Sequence, residues 1–253
     1  MIIFSSLGIT QKAQMPKLHI YKNEKETCEA FAEWLAETVS EHLTKNGKCT
    51  IAIAEGDTPK ILFRILVSEY AEKIDWTKVH LFEGNRKLIS NDFNNSPLKE
   101  LIDQVPIPKK QIHTIPTSLP NEEAVQKYED LLGIYFSAEP TFDLALLSMD
   151  EDGSFLSLSP GDDENNQSSC RVIAVQNKED NSYSITLSAR AINTAEVKAF
   201  LVTGKRKENA VHQVLKGKYD PEKYPAQLIQ TANKTVHWFF DEAAAAKLIR
   251  PAP

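Results

Sequence analysis

The segment from Ser148 to Gly161 carries Asp152 and Ser154, a carboxylate and a hydroxyl two positions apart. A serine hydroxyl becomes a nucleophile only when a neighbouring base takes its proton, and histidine commonly supplies that base. None of the six histidines lies in a motif that would place it beside Ser154. We therefore expect Ser154 to donate a hydrogen bond rather than to attack a substrate.

A second polar segment, Glu55 to Pro59 (EGDTP), lies between an apolar run and a predicted helix. Loops at helix N-termini bind phosphate through free backbone N–H groups and the helix dipole. Asp57 would place a carboxylate where the phosphate binds, and charges about 4 Å apart repel by several kcal/mol at an effective dielectric near 20. The alternative role of Asp57 is to cap and stabilise the helix.

Two short basic segments could supply cations to an anionic ligand. One is Asn85-Arg86-Lys87, and the other is Lys205-Arg206-Lys207, which follows Thr203 and Gly204. Lys207 is a candidate phosphate-binding cation, and the alternative is a solvated lysine on the first turn of a helix. The net charge of −6 argues against nucleic acid or an anionic membrane as a partner.

Alternating apolar runs and amphipathic segments must position these side chains. Phe31, Leu35, Val39 and Leu43 recur every four positions and predict an amphipathic helix. The predicted helices cover 23–45, 59–71 with Thr58 as its cap, 94–104, 121–138 capped by Asn121, 205–216 and 241–249. The predicted strands cover 49–54, 79–82, 142–148, 171–175, 184–187 and 199–202.

Strands that alternate with helices predict a three-layer α/β/α fold with a mostly parallel sheet. In such sheets ligands bind beyond the carboxyl ends of the strands. The loops expected to form a site are therefore 55–59, 83–97, 148–161 and 203–207.

Length and composition predict one domain. The 253 residues suffice for a substantial core, and we expect an N-terminal extension over 1–16 followed by a single domain over 17–253. The start of the chain lacks the features of a signal peptide, and no apolar stretch approaches the ~20 residues of a membrane span. Three cysteines that fit no zinc or redox motif are typical of reduced thiols, so we expect a cytoplasmic protein.

Segments in matching order and spacing resemble the 6-phosphogluconolactonase family from about residue 17 to 249. The resemblance implies an α/β/α fold of the type shared with ribose-5-phosphate isomerase and CoA-transferase, and glucosamine-6-phosphate deaminases share it too. The matching segments are 55–59 (family GGSTP), 75–87 (DW…VHxFWGDER), 148–161 (GMGxDGHTASLFPG), 184–188 (RITLT), 203–207 (TGxxK) and 237–244 (WFLDEAA).

The family resemblance implies a site without metal or cofactor in which the signature histidine is the base. Ser154 occupies that histidine's position here, so the catalytic candidates are Ser154 and Asp152. The resemblance also implies a sugar-phosphate ligand. The substrate-binding candidates are Gly56, Asp57, Thr58, Asn85, Arg86, Lys87, Gly153 and Lys207.

Compared with the family motifs, this chain keeps the residues that shape turns and differs at residues with a chemical role. The differences are notable at Asp57, Asn85, Arg86, Ser154 and Ser184. This pattern favours a 6-phosphogluconolactonase-like protein of sugar-phosphate metabolism that lacks normal lactonase activity and serves in binding or sensing. One alternative is an active hydrolase of a sugar-phosphate lactone with an altered site. Another is an amino-sugar-phosphate isomerase or deaminase.

Overall fold

A seven-stranded parallel sheet forms the centre of the protein, in the order β1-β10-β9-β6-β2-β3-β5. In this computed structural model the described residues are 15–54, 57–88, 97–136, 141–162, 169–178, 180–229 and 234–249, without the side chains of 57–59 and 97. The strands of this sheet are β1 (Lys17–Tyr21), β2 (Cys49–Ile53), β3 (Val79–Glu83), β5 (Ile112–His113), β6 (Leu144–Leu147), β9 (Val197–Val202) and β10 (Val236–Asp241).

A small antiparallel sheet lies beside the central one, in the order β4-β8-β7. Its strands are β4 (Asn85–Lys87), β7 (Val172–Gln176) and β8 (Tyr183–Leu187). Asn85 is paired with Thr186, and Lys87 with Ser184. The small sheet therefore joins the segment after β3 to β8.

Helices cover both faces of the central sheet. They are α1 (Glu24–Asn46), α2 (Asp57–Glu69), α3 (Pro97–Gln104), α4 (Asn121–Tyr135), α5 (Ala189–Asn193), α6 (Glu208–Lys216) and α7 (Ala246–Ile249). One apolar cluster packs α1, α2 and α3 against one face. A second packs the small sheet and α4 to α7 against the other, which confirms the predicted three-layer fold.

Burial of both sheet faces explains the continuous apolar runs in the strands. Leu81 belongs to the first cluster and Phe82 to the second. In β10, Phe239 joins the first cluster, whereas Trp238 and Phe240 join the second. A strand that is buried on both faces needs apolar side chains at every position.

Helix α1 is the element that the sequence predicted best. Asn23 caps it by accepting a hydrogen bond from the backbone N–H of Glu26 at 2.9 Å, and Gly47 ends it in the left-handed conformation at φ +72°. Phe31, Leu35 and Val39 of the predicted apolar face are buried.

Several predicted boundaries were wrong. Helix α2 begins at Asp57, so Thr58 lies inside it rather than at its cap. Pro120 precedes α4 without a side-chain cap, so Asn121 is also inside the helix, which ends at Tyr135. The segment 205–216 is a 3-10 turn over Lys205–Lys207 followed by α6.

The predicted helix over 241–249 was largely wrong as well, because only 246–249 is α-helical and Asp241 ends a strand. Strand β10 was missed because its apolar run was interpreted as core packing without an assigned element. Strands β4 and β5 have three and two residues, too few for a strong periodic signal. Strand β1 has five residues, but Lys17 and His19 interrupt its apolar residues, so it contains no apolar run.

Domain boundaries stay predictions. Residues 1–14 lie outside the described residues, and β1 begins at Lys17. Among the described residues, none of the helices combines the length and apolar character that crossing a bilayer requires.

The stability of the fold is expected to fall below about pH 6.5 because of a buried histidine pair. His113 Nε2 lies 3.2 Å from His80 Nδ1, between the rings of Phe82 and Tyr135. Burial, and then the nearby His80, lower the pKa of His113 to about 4. The unfolded chain therefore binds more protons than the folded protein between about pH 6.5 and 4.

The free energy of unfolding should consequently decline by about 1–3 kcal/mol more in wild type than in His113→Phe over that interval. Urea unfolding at a series of pH values measures the difference. Parallel pH profiles for the two proteins would contradict the assignment.

Candidate functional site

The loop after β6, residues 148–161, lies at the carboxyl edge of the central sheet where the direction of chain progression reverses. From β2 the chain continues to β3, towards one edge strand of the sheet. From β6 it continues to β9, towards the opposite edge strand. Strands β2 and β6 are neighbours. Loops that leave two such neighbours in opposite directions open a crevice, which is where ligands bind in α/β sheets.

Asp152, Gly153 and Ser154 form a tight turn in this loop. Ser154 Oγ donates a 2.6 Å hydrogen bond to Asp152 Oδ1, and the Ser154 backbone N–H donates to the same oxygen at 2.9 Å. The Asp150 N–H donates to the Ser154 carbonyl at 3.0 Å. Ser154 is 8% exposed, so backbone bonds and one carboxylate fix its position.

Gly153 is required by this turn. Its φ is +88°, and a Cβ atom there would lie 3.0 Å from the Tyr224 ring. Both the left-handed backbone and the close contact exclude a larger residue. The structure thus supports a conformational role for this substrate-binding candidate.

Leu156 and Ser157 continue the loop with positive φ values of 50° and 60°. Such values are uncommon in residues other than glycine and cluster at functional sites. Thr186 Oγ1 donates to the Leu156 carbonyl at 2.6 Å, and Asn85 Nδ2 donates to Ser157 Oγ at 3.0 Å. Two strands of the small sheet therefore hold the loop in this conformation.

Two cavities open on either side of the loop and share Asp150, Asp152 and Ser154. The first cavity, of about 520 Å³, reaches the start of α1 and the turn before α6. It is lined by four acidic residues, two basic residues and two hydroxyl residues: Glu24, Asp150, Glu151, Asp152, Arg206, Lys207, Thr203 and Ser154.

The second cavity, of about 590 Å³, lies towards the small sheet. Its basic residues are Lys87 and Lys178. Lys87 Nζ contacts Asp180 Oδ2 at 2.5 Å, and Lys178 Nζ lies 3.3 Å from Asp162 Oδ1. Hydrogen bonds from Lys87 and then Ser182 lower the pKa of Asp180 to about 2, so both lysines have anionic partners.

Buried polar bonds position the Thr203 and Gly204 end of the first cavity. The Gly204 N–H donates to both carboxylate oxygens of Asp241, at 3.0 and 3.1 Å, and Asp241 Oδ1 also accepts from the Ala244 N–H at 2.8 Å. Thr203 Oγ1 donates to Glu24 Oε1 at 2.8 Å. The end of β10 and the start of α1 therefore fix the turn that presents Lys207.

Arg86 does not line either cavity in the described part of the chain. Its guanidinium is buried and forms an ion pair with Glu83. The other carboxylate oxygen of Glu83 accepts from the Ile115 N–H at 2.7 Å, and Tyr128 Oη donates to the Glu83 carbonyl at 2.7 Å. Arg86 therefore supports the scaffold, although its position in a basic segment suggested ligand binding.

Within the described residues, no histidine lines either cavity. His19 contacts His237, His80 contacts His113, and His42 lies beside Asp143. His212 belongs to α6. Ser154 thus has a carboxylate, and not an imidazole, as its side-chain partner.

The remaining candidates are only partly described. Gly56 lies outside the described residues, whereas Asp57 and Thr58 form the first turn of α2 with side chains outside the description. Sequence reasoning missed Glu24 and Lys178, because long-range packing brings α1 and the segment before β8 to the loop. It also missed Asp162, which directly follows the predicted loop. Arg206 had a signal, since it belongs to the basic run beside Lys207.

These features define an α/β protein with polar cavities at the carboxyl ends of its parallel strands. Comparison with known proteins shows the family to which this α/β protein belongs. The family of glucosamine-6-phosphate isomerases and 6-phosphogluconolactonases matches residues 22–238, and the chain belongs to this family.

Individual relatives agree with this assignment. A 6-phosphogluconolactonase from Synechocystis is 31% identical, over 92% of this chain and 98% of its own. One from Nostoc is 36% identical, over 81% of this chain and 87% of its own. The crystal structure of 6-phosphogluconolactonase from Thermotoga maritima is similar with a TM-score of 0.77 and 27% identity, over 89% of this chain and all of that one.

Replacing Arg86 is expected to destabilise the protein, because it would leave the buried Glu83 carboxylate without its cation. We expect Arg86→Met to lower the free energy of unfolding by about 3–5 kcal/mol. Lys87→Met removes the same charge from an exposed pair and should cost no more than about 1 kcal/mol. Chemical denaturation of both variants measures the contrast.

A Glu83→Gln change in the Arg86→Met background removes the unpaired charge but keeps an acceptor for Ile115. It should recover part of the lost stability. Equal stability of Arg86→Met and wild type would show that the ion pair does not support the scaffold.

Proposed function

We propose that this protein binds a sugar phosphate without hydrolysing a lactone at the rate of a normal 6-phosphogluconolactonase. The observation that carries the proposal is the hydrogen bond from Ser154 Oγ to Asp152 Oδ1. The position at which the family resemblance expects a base is thereby occupied by a neutral hydrogen-bond donor.

Lactone hydrolysis requires a base that activates water and a donor that stabilises the developing oxyanion. A serine hydroxyl cannot remove a proton from water near neutral pH unless another base acts on it. The only side-chain bond recorded for Ser154 among the described residues goes to Asp152. Because both cavities share Asp152 and Ser154, a ligand in either cavity would face this hydrogen-bonded pair.

The two cations of the first cavity, together with its carboxylates as hydroxyl acceptors, support binding of a phosphorylated polyol. Arg206 and Lys207 lie together in the turn that leads into α6, where cations and a helix N-terminus can hold a phosphate. Asp150 and Asp152 lie in the same cavity and can accept hydrogen bonds from sugar hydroxyls. One end of the ligand would therefore be anionic and the other rich in hydroxyl groups.

One alternative is a hydrolase with an altered site, in which Asp152 activates the water. Asp152 lines both cavities, and a carboxylate can act as a general base. Dependence of turnover on Asp152 distinguishes this alternative from binding alone.

We also propose a cytoplasmic location. Cys28 and Cys49 are buried cysteines that form no disulfide. Free thiols of this kind are typical of proteins kept in a reducing compartment.

The first test is hydrolysis of freshly generated 6-phosphogluconolactone, corrected for spontaneous opening. We expect wild type and Asp152→Asn to stay at the background rate. Turnover well above background in wild type would overturn the proposal, and its loss in Asp152→Asn would favour the altered hydrolase. A parallel Ser154→His variant shows whether a histidine at this position is sufficient to restore activity.

The second test is calorimetric titration with 6-phosphogluconate. Lys207→Met should weaken binding about tenfold or more, because a charge-assisted hydrogen bond contributes roughly 1.5–3 kcal/mol. Lys205→Met is the matched control, since Lys205 lies in the same turn but is absent from the lining of the first cavity. Absence of binding, or equal losses in both variants, would contradict a sugar-phosphate ligand at this site.

A further inference from the structure

A second cluster of potential ligands lies at the opposite edge of the central sheet. His42 is near the carboxyl end of α1, Asp143 directly precedes β6, and Glu196 directly precedes β9. One donor atom from each of the three lies within 4.8 Å of the others. Asp143 and Glu196 are at the amino ends of parallel strands, and none of the three residues lines either cavity of the proposed sugar-phosphate site.

The His42 ring is the unusual member of this cluster. Its residue is 6% exposed, and its buried Nδ1 atom makes no hydrogen bond of good geometry in the described part of the chain. Asp143 Oδ1 lies 3.4 Å from this atom, at the long end of the range for a hydrogen bond. A buried polar atom that is not well paired is unfavourable, so a ligand that contacts both atoms would improve the arrangement.

The separation of His42 Nδ1 and Asp143 Oδ1 fits shared coordination of a metal ion. Zinc binds nitrogen and oxygen ligands at about 2.0–2.1 Å in a tetrahedron, which places neighbouring ligand atoms about 3.3 Å apart. The observed 3.4 Å matches that value. Glu196 has to approach by only about 1–1.5 Å to complete the same geometry, since its oxygen already lies within 4.8 Å.

We propose that His42, Asp143 and Glu196 bind a divalent transition-metal ion of the Zn²⁺ type. One imidazole and two carboxylates suit zinc, whereas Mg²⁺ and Ca²⁺ prefer oxygen ligands alone. The adjoining cavity of about 410 Å³, lined in part by His42 and Glu196, leaves room for a water molecule as the fourth ligand.

Asp143 is already held in the orientation that this site requires. Its Oδ2 accepts hydrogen bonds from the Thr50 backbone N–H at 2.7 Å and from Thr50 Oγ1 at 2.8 Å. Its Oδ1 accepts from Asn46 Nδ2 at 3.1 Å and is the oxygen that faces His42. Such supporting bonds orient a metal-binding carboxylate and reduce the entropy lost on binding.

Lys45 competes with the metal for Glu196. Lys45 Nζ lies 3.1 Å from Glu196 Oε1, and the side chains are 65% and 44% exposed. Exposed ion pairs contribute little to stability, so a metal can displace the ammonium group. The lysine therefore lowers the metal affinity without blocking the site.

A metal bound here would connect the end of α1 to the amino ends of β6 and β9. Those three elements are held at this edge by Asp143 and by the Lys45 pair. The ion would thus act as a structural ligand, and its binding free energy would add to that of folding. This proposal does not depend on the sugar-phosphate function.

The experiment is zinc titration of the untagged, metal-stripped protein by calorimetry, with Co²⁺ as a spectroscopic probe. We expect one zinc per chain, visible absorption typical of tetrahedral Co²⁺, and a melting temperature that rises with free zinc. Glu196→Gln should weaken zinc binding tenfold or more and leave the fold intact, because Glu196 is partly exposed.

Two further variants separate loss of a metal ligand from a general change in charge. Glu41→Gln removes the same charge from the same cavity without removing a ligand, so it should change the affinity less than about threefold. Lys45→Gln removes the competitor and should strengthen zinc binding. Absence of zinc binding in wild type, or equal effects of Glu196→Gln and Glu41→Gln, would overturn the proposal.

Discussion

All strands of the central sheet run in the same direction, and this constraint determines where the chemistry of the protein lies. The carboxyl ends of β6, β9 and β10 meet at one edge, so Ser154, Lys207 and Asp241 come from distant parts of the sequence to one region. The amino ends meet at the other edge, which collects Asp143 and Glu196 beside α1. The two proposed sites are separated because a parallel sheet has two chemically different edges.

Close contact between backbone segments then fixes the loop over 148–161. At Gly84 a Cβ atom would lie 2.8 Å from Leu156 Cδ2 and 2.9 Å from the Ile53 carbonyl oxygen, so only glycine fits between β2 and the loop. The Asp150 to Ser154 turn depends mainly on backbone hydrogen bonds. A scaffold of this kind tolerates changes in side-chain chemistry, because the loop conformation does not require a particular group at position 154.

The fold was predictable from sequence where periodicity and burial agree. Helix α1 has a regular apolar face and clear caps, and β2 and β6 are continuous apolar runs, so both kinds of element were recognised. Strand β10 is also buried along its whole length, and it was missed because its aromatic residues were interpreted only as core packing. Strand β4 has three residues, and its pairing with β8 depends on residues about one hundred positions away.

The candidate site was predictable to a similar extent. The loop around Ser154 and the Lys207 turn were recognised from local motifs, and the structure brings them to one cavity. Glu24 could not be found, because only the packing of α1 places it there. The role of Arg86 could not be inferred either, since the ion pair with Glu83 depends on which way each side chain of a short strand points.

The ion pair between Glu83 and Arg86 couples two positions of the chain. The family motif that resembles this segment has tryptophan and glutamate where this chain has Glu83 and Arg86, so both members of the pair differ from it. Changing Arg86 alone to glutamate would place two carboxylates together in a buried environment. Positions 83 and 86 are therefore coupled, because neither charge is compatible with burial unless the other position carries the opposite charge.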